Sequence, residues 1–216
     1  MKSRGALKAT AKKQLSKKVY WNFVIGIVIY TVICLVVGIL QDRFSVTIID
    51  SLLTILLLVP LNLGFFYAAL RVREGKFHIC SFLYFISRGF KKYIKIVLLG
   101  IILSLIINVG LMLFIVPGII WALMFSQAIF IIAEKDCGVF EALSESKKLM
   151  KGHKWEFFGF VLSFILWYIL IIITAGIANI FVLPYILTSY ANYYAELKAE
   201  NEYKNQKVYM TISKDE

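Results

Sequence analysis

"LMLFIVPGIIWAL", residues 111–123, lies in the middle of a run, 96–133, that contains no charged residue. Read as one α-helix, this run of about 38 residues would be ~57 Å long, close to twice the ~30 Å hydrocarbon core of a bilayer. Something must break it. Proline has no backbone N–H and disfavours helix in the residue before it, so Val116-Pro117-Gly118 is expected to close one helix and open the next.

The rest of the chain follows the same logic. It has 216 residues, 60% of them hydrophobic, yet carries a formal net charge of +11. The charges gather in short blocks between uncharged runs at 19–41, 51–70, 96–133 and 157–195, which is a membrane pattern. The first two runs are one helix long and the last two are two helices long, the last dividing near Thr174-Ala175-Gly176. Residues 1–18 resemble the basic start of a signal peptide, but the following core is too long and no small-x-small cleavage site follows. The expected fold class is an all-α polytopic transmembrane bundle with six spans, at 19–40, 50–70, 93–113, 118–133, 156–174 and 177–195. They form one domain over 1–200, with a polar tail at 201–216.

Short cytoplasmic loops hold Lys and Arg in excess. With six spans, 23 of the 24 basic residues fall on one face and only Arg43 on the other, so both termini are expected on the cytoplasmic side of a bacterial membrane. The basic face is also suited to anionic lipid headgroups at about 1 kcal/mol per residue, although topology alone accounts for most of it. None of this charge is assigned to nucleic acid.

Each pair of spans is preceded by a basic segment with apolar residues at helical spacing, and the second span of each pair carries a proline: Pro60, Pro117 and Pro184. Three parallel hairpin repeats, each led by an interfacial helix, is the economical reading; shared composition of apolar helices is the alternative. Counting about 100° per residue from each proline puts Asn62, Ser126 and Ser189 near one face, with Gln127, Thr188 and Asn192 beside it. These polar side chains could line a small pocket, with the three prolines bending the helices around it and freeing the carbonyls of Leu56, Leu113 and Ile180. The competing explanation is hydrogen bonding between helices, worth about 0.6 kcal/mol per contact in membranes.

Chemistry is sparse. No charged residue lies deep in a span, so ion-coupled pumping lacks its usual groups. Hydrolase, metalloprotease and nucleotide-binding motifs are absent, and no enzyme activity or cofactor is expected. Cys34, Cys80 and Cys137 form no CxxC pair, and the long separations among His78, Cys80, Cys137 and His153 favour ordinary loop residues over a zinc site. Glu134 and Asp136 read as a solvated loop start.

The segments "RGALKATAKKQL" (4–15), "FIVPGIIWAL" (114–123), "EALSESKKLMKGHKWEFF" (141–158) and "LPYILTSYANYYAEL" (183–197) resemble the bacterial integral membrane family called domain of unknown function 975. The most specific part is the pattern Ala142, Leu143, Ser146, Met150, Gly152 and Trp155. At the last turn this chain has Ala175 where members often show a second glycine. The resemblance implies a multi-span protein of a low-GC Gram-positive bacterium and no established activity, with a more distant similarity to membrane domains attached to glycerophosphodiesterases. The expected role is a non-enzymatic transport or lipid-handling component. The alternative is a scaffold, accessory or immunity-type partner of an unidentified membrane complex.

Overall fold

The computed structural model describes residues 3–44, 47–83, 90–135 and 137–212, and the described residues are helical or irregular, without strands. The side chains of residues 40–57, among them the expected outer charges Asp42, Arg43 and Asp50, lie outside that description, as does Asp136. In chain order the helices are α1 (Arg4–Gln14), α2 (Lys17–Phe44), α3 (Thr47–Arg73), a 3-10 turn (Ile79–Leu83), α4 (Phe90–Leu113), α5 (Ile115–Phe125), α6 (Ala128–Glu134), α7 (Val139–Leu149), α8 (Lys154–Leu162), α9 (Ile165–Ile173) and α10 (Ile177–Ile212).

Among the described residues three stretches are long and apolar enough to cross a membrane: Lys17–Ile39, Tyr93–Met112 and Val116–Glu134. A fourth appears if α8 and α9, bent by 42° at Ser163-Phe164, count as one span. The six expected spans are therefore not all recovered. In 177–195 the apolar residues are diluted by Asn179, Thr188, Ser189, Asn192 and four tyrosines, and α10 continues far past this stretch into the polar tail.

The opening stretch does break, but at Phe114, whose backbone is extended (φ −160°, ψ 142°) between α4 and α5. Pro117 is the third residue of α5, where first-turn N–H groups have no acceptor within the helix in any case. It therefore bends nothing and frees no carbonyl at Leu113, contrary to expectation. Gly118 acts at the crossing of the hairpin: a Cβ on Gly110 would stand 2.8 Å from the Gly118 Cα, so the two backbones meet because neither carries a side chain. Pro60 and Pro184, by contrast, sit inside α3 and α10, leaving the Leu56 and Ile180 carbonyls without their usual donor. The three prolines are thus not equivalent. The leading segments differ too: α1 and α7 are helices, while the middle one contains the 3-10 turn and residues 84–89, outside the described residues.

A second break, unforeseen in the sequence, separates α5 from α6 at Ser126-Gln127. The turn at 174–176 is present, with Ala175 and Gly176 both in the left-handed region (φ 48° and 89°). An alanine there costs on the order of 1–2 kcal/mol relative to glycine.

Two aromatic-rich clusters hold the helices together. One joins α2, α3, α6, α7 and α10 through Phe23, Phe65, Phe130 and Tyr194. The other joins α1, α5, α8 and α10 through Leu7, Leu123, Phe157, Phe160 and Tyr193. α1 is built to dock: Ser3 caps its start by accepting the Ala6 N–H, and Leu7 and Ala11, one turn apart, are buried.

Candidate binding site

An apolar cavity of about 250 Å³ lies between α2 and α3, with Gly26, Tyr30, Leu61, Phe65, Cys80 and Phe82 on its walls. Two glycines make it. A Cβ at Gly26 would come within 2.3 Å of the Phe82 ring, and one at Gly64 within 2.1 Å of the Phe82 carbonyl oxygen. Their bare backbones let the chain turn back after α3 and wedge the 3-10 turn into the crevice, where Phe82 meets Phe23 edge to face at 5.1 Å. Tyr30 puts a hydroxyl on the wall, and Asn62, on the exposed face of α3, donates its side-chain N–H to it.

The expected pocket of Asn62, Ser126 and Ser189 is not assembled by hydrogen bonds between them. Asn62 turns to Tyr30. Ser126, half-buried, donates to the Leu123 carbonyl at 2.8 Å, and Ser189 donates to the Tyr185 carbonyl of its own helix at 2.8 Å. Gln127 is buried and donates to the Ser126 hydroxyl at 2.8 Å. Asn192, also buried, donates to Gln14 of α1 at 2.9 Å. The Gln127 Oε1 and the Thr188 hydroxyl have no hydrogen-bond partner among the described residues.

Asn192 and Gln14 border a polar cleft of about 400 Å³ shared with Arg73 and Glu74. Beside it, Tyr194 and Lys198 of α10 both donate to the Glu134 carboxylate, at 2.6 and 2.7 Å. Glu134 is therefore a clamp between α6 and α10 rather than a solvated loop start. A third cavity, about 460 Å³, lies between α1 and α10 with Lys12, Tyr20, Trp167 and Tyr185 on its walls. Next to it, Lys8 donates to the Ser163 carbonyl at 2.7 Å and stands 3.9 Å over the Phe164 ring. Burial there pushes the Lys8 pKa below the ordinary lysine value.

The four residues weighed as a zinc set do not come together. His153 pairs with Glu156 and Glu200 at 3.1 and 3.4 Å, Cys137 is buried in the first cluster, and Cys80 faces the apolar cavity. Among the described residues no group of three or more His, Cys, Asp or Glu side chains could hold a metal ion.

The motif that carried the family resemblance has a structural reason. Ala142, Leu143, Ser146 and Met150 form one buried face of α7 and its end, and Ser146 donates to the Met124 carbonyl at 2.8 Å. That carbonyl lies at the end of α5, where the break removes its helical donor. Gly152 follows in the left-handed region (φ 87°), while Trp155 is exposed. Sequence reading missed Tyr30, Gln14 and Lys8 as partners; the signal was their type and place, a tyrosine in an otherwise apolar helix and polar residues on a docking face.

No curated protein and no solved structure matches the chain. A family described as "Protein of unknown function (DUF975)" matches residues 79–201, more than half of the 216 residues, from the 3-10 turn into α10, and the chain belongs to that family.

Proposed function

We propose that this protein is a non-enzymatic integral membrane protein of the bacterial cytoplasmic membrane that shelters part of a lipid-like amphiphile. The observation that carries this reading is the α2–α3 cavity, walled by aliphatic and aromatic side chains with one polar group, the Tyr30 hydroxyl. A small number of placed polar groups on an apolar wall is the usual composition of a small-molecule site. At about 250 Å³ the cavity lies just below the ~300–1,000 Å³ range of such sites, which suits the end of an acyl or prenyl chain rather than a whole lipid. In this reading α2, α3, α4 and α5–α6 cross the membrane as two hairpins. The basic blocks and both termini face the cytoplasm, where Lys and Arg are retained.

The test is lipid retention. The protein is purified in a mild detergent and its bound lipids are extracted and identified by mass spectrometry, for the native chain and for Ile33→Trp, which fills the cavity from α2. A chain-bearing species is expected with the native protein and reduced at least fivefold in the variant. Equal lipid content in the two proteins would remove this assignment.

The second reading, a non-catalytic partner of another membrane complex, rests on apolar side chains exposed away from the long apolar helices, Phe140 (75%) on α7 and Tyr203 (67%) on the tail of α10. Crosslinking in native membranes from Phe140→Cys would yield a stoichiometric adduct if it holds.

A further inference from the structure

We propose that the last apolar hairpin, α9 and the start of α10, dips into the cytoplasmic leaflet among its acyl chains and returns without crossing the membrane. Two contacts, one on each arm, limit how far it reaches. On the returning arm the Tyr20 hydroxyl donates to the Phe181 carbonyl at 3.1 Å. Tyr20 follows Lys17 and Lys18 by three and two residues, so it stands at the cytoplasmic end of the first crossing. Ile177 is four residues before Phe181, about 6 Å of helix. Three residues from Lys17 to Tyr20 (about 4.5 Å), a tyrosine side chain of roughly 6.5 Å, the 3.1 Å bond and this segment together put Ile177 within roughly 20 Å of the start of α2, short of the ~30 Å core.

The entering arm gives the same limit independently. The Lys8 ammonium donates to the Ser163 carbonyl, and a lysine head group keeps to water or the membrane interface while its stem lies on apolar surface. The break at Ser163-Phe164 is therefore at interfacial depth. Beyond it α9 has nine residues, a rise of about 13.5 Å, too little to reach the far side.

The tip has the surface this position requires. Leu166, Ile172, Ile173 and Ile177 are 66–77% exposed and the run 157–195 contains no charge. An apolar tip with Lys8, Lys12, Lys17 and Lys18 around its base matches hydrocarbon above an anionic headgroup layer. The crossings remain even in number, so the basic blocks stay together.

The experiment uses full-length protein with Cys34, Cys80 and Cys137 replaced by alanine and one cysteine added: Ile173→Cys at the tip, Phe114→Cys at the α4–α5 connection, or Phe140→Cys on α7. Intact cells and inside-out vesicles are treated with a membrane-impermeant maleimide. A fluorophore at each cysteine is then quenched by nitroxide lipids labelled at different depths. Phe114→Cys should react from outside and Phe140→Cys from inside. Ile173→Cys should show at least tenfold less reaction from outside than Phe114→Cys and be quenched most by nitroxides in the acyl region of the inner leaflet. Reaction of Ile173→Cys from outside at the Phe114→Cys rate would overturn the proposal, as would the absence of quenching by any lipid label. A variant that does not insert is replaced by Ile172→Cys. Loss of the lipid retained by the α2–α3 cavity would leave this result untouched, so the two readings fail separately.

Discussion

At the scale of single residues, Ser146 carries the most specific local consequence. Its hydroxyl is buried and satisfies the Met124 carbonyl that the α5–α6 break leaves without a helical donor. Ser146→Ala should destabilise the protein by about 1–3 kcal/mol, the cost of a buried acceptor left unmade, read as a lower thermal midpoint in detergent, while Ser144→Ala next to it should change little. Glu200 gives a pH dependence. Its hydrogen bond from Lys204, with His153 nearby, holds its carboxyl below the usual glutamate range. A lowered pKa in the folded state means the interaction contributes above the unfolded value of about 4.3 and is lost as pH falls through the lower folded value. The Lys204–Glu200 pair on the tail of α10 should therefore hold at neutral pH and weaken in strong acid, with Glu200→Gln insensitive there, as followed by hydrogen exchange of residues 196–204. The Ser146 face was readable as a pattern, but not its acceptor: a freed carbonyl exists only once the break at Ser126-Gln127 is known, and neither residue is a strong helix breaker.

Among the helices, the α4–α5 hairpin separates two roles that a Pro-Gly pair invites one to merge. Pro117→Ala should shift stability by less than ~1 kcal/mol, because the missing N–H lies in a first turn. Gly110→Ala should cost about 1–3 kcal/mol, because the new methyl meets the facing backbone and the helices must separate. Chemical denaturation of the two variants in one detergent would check both; a larger loss for Pro117→Ala would mean the connection depends on the proline after all. The hairpin itself was legible from length and charge alone, since no bilayer accommodates so long a straight rod. Where it turned was not, since helix ends depend on which backbone groups find partners. The angular count from the prolines assumes equivalent helices, whereas Pro117 begins one and Pro60 and Pro184 sit inside theirs, so it gives no common reference for Asn62, Ser126 and Ser189.

For the whole molecule, the proposed gathering of positive charge on one side of the membrane is the reading with the widest reach. If the basic blocks face the cytoplasm, Lys147→Cys should be modified by an impermeant reagent in inside-out vesicles and not in intact cells; the opposite result would reverse the orientation of every helix. Composition alone made the all-α class readable, and the order of apolar runs made the two long hairpins readable. The depth proposed for the last hairpin was not, because it is argued from the contacts of Tyr20 and Lys8, residues some 155–161 positions away in sequence.

That separation bears on how the chain is made. α1 leaves the ribosome with Leu7 bare, and most of the surfaces it packs with, on α8 and α10, are translated more than 140 residues later. In the proposed topology its basic, amphipathic stripe would rest on the inner lipid surface until then. Docking of α1 thus waits on segments made much later, and a bulky tag fused ahead of Ser3 should disturb that step more than one placed after residue 212.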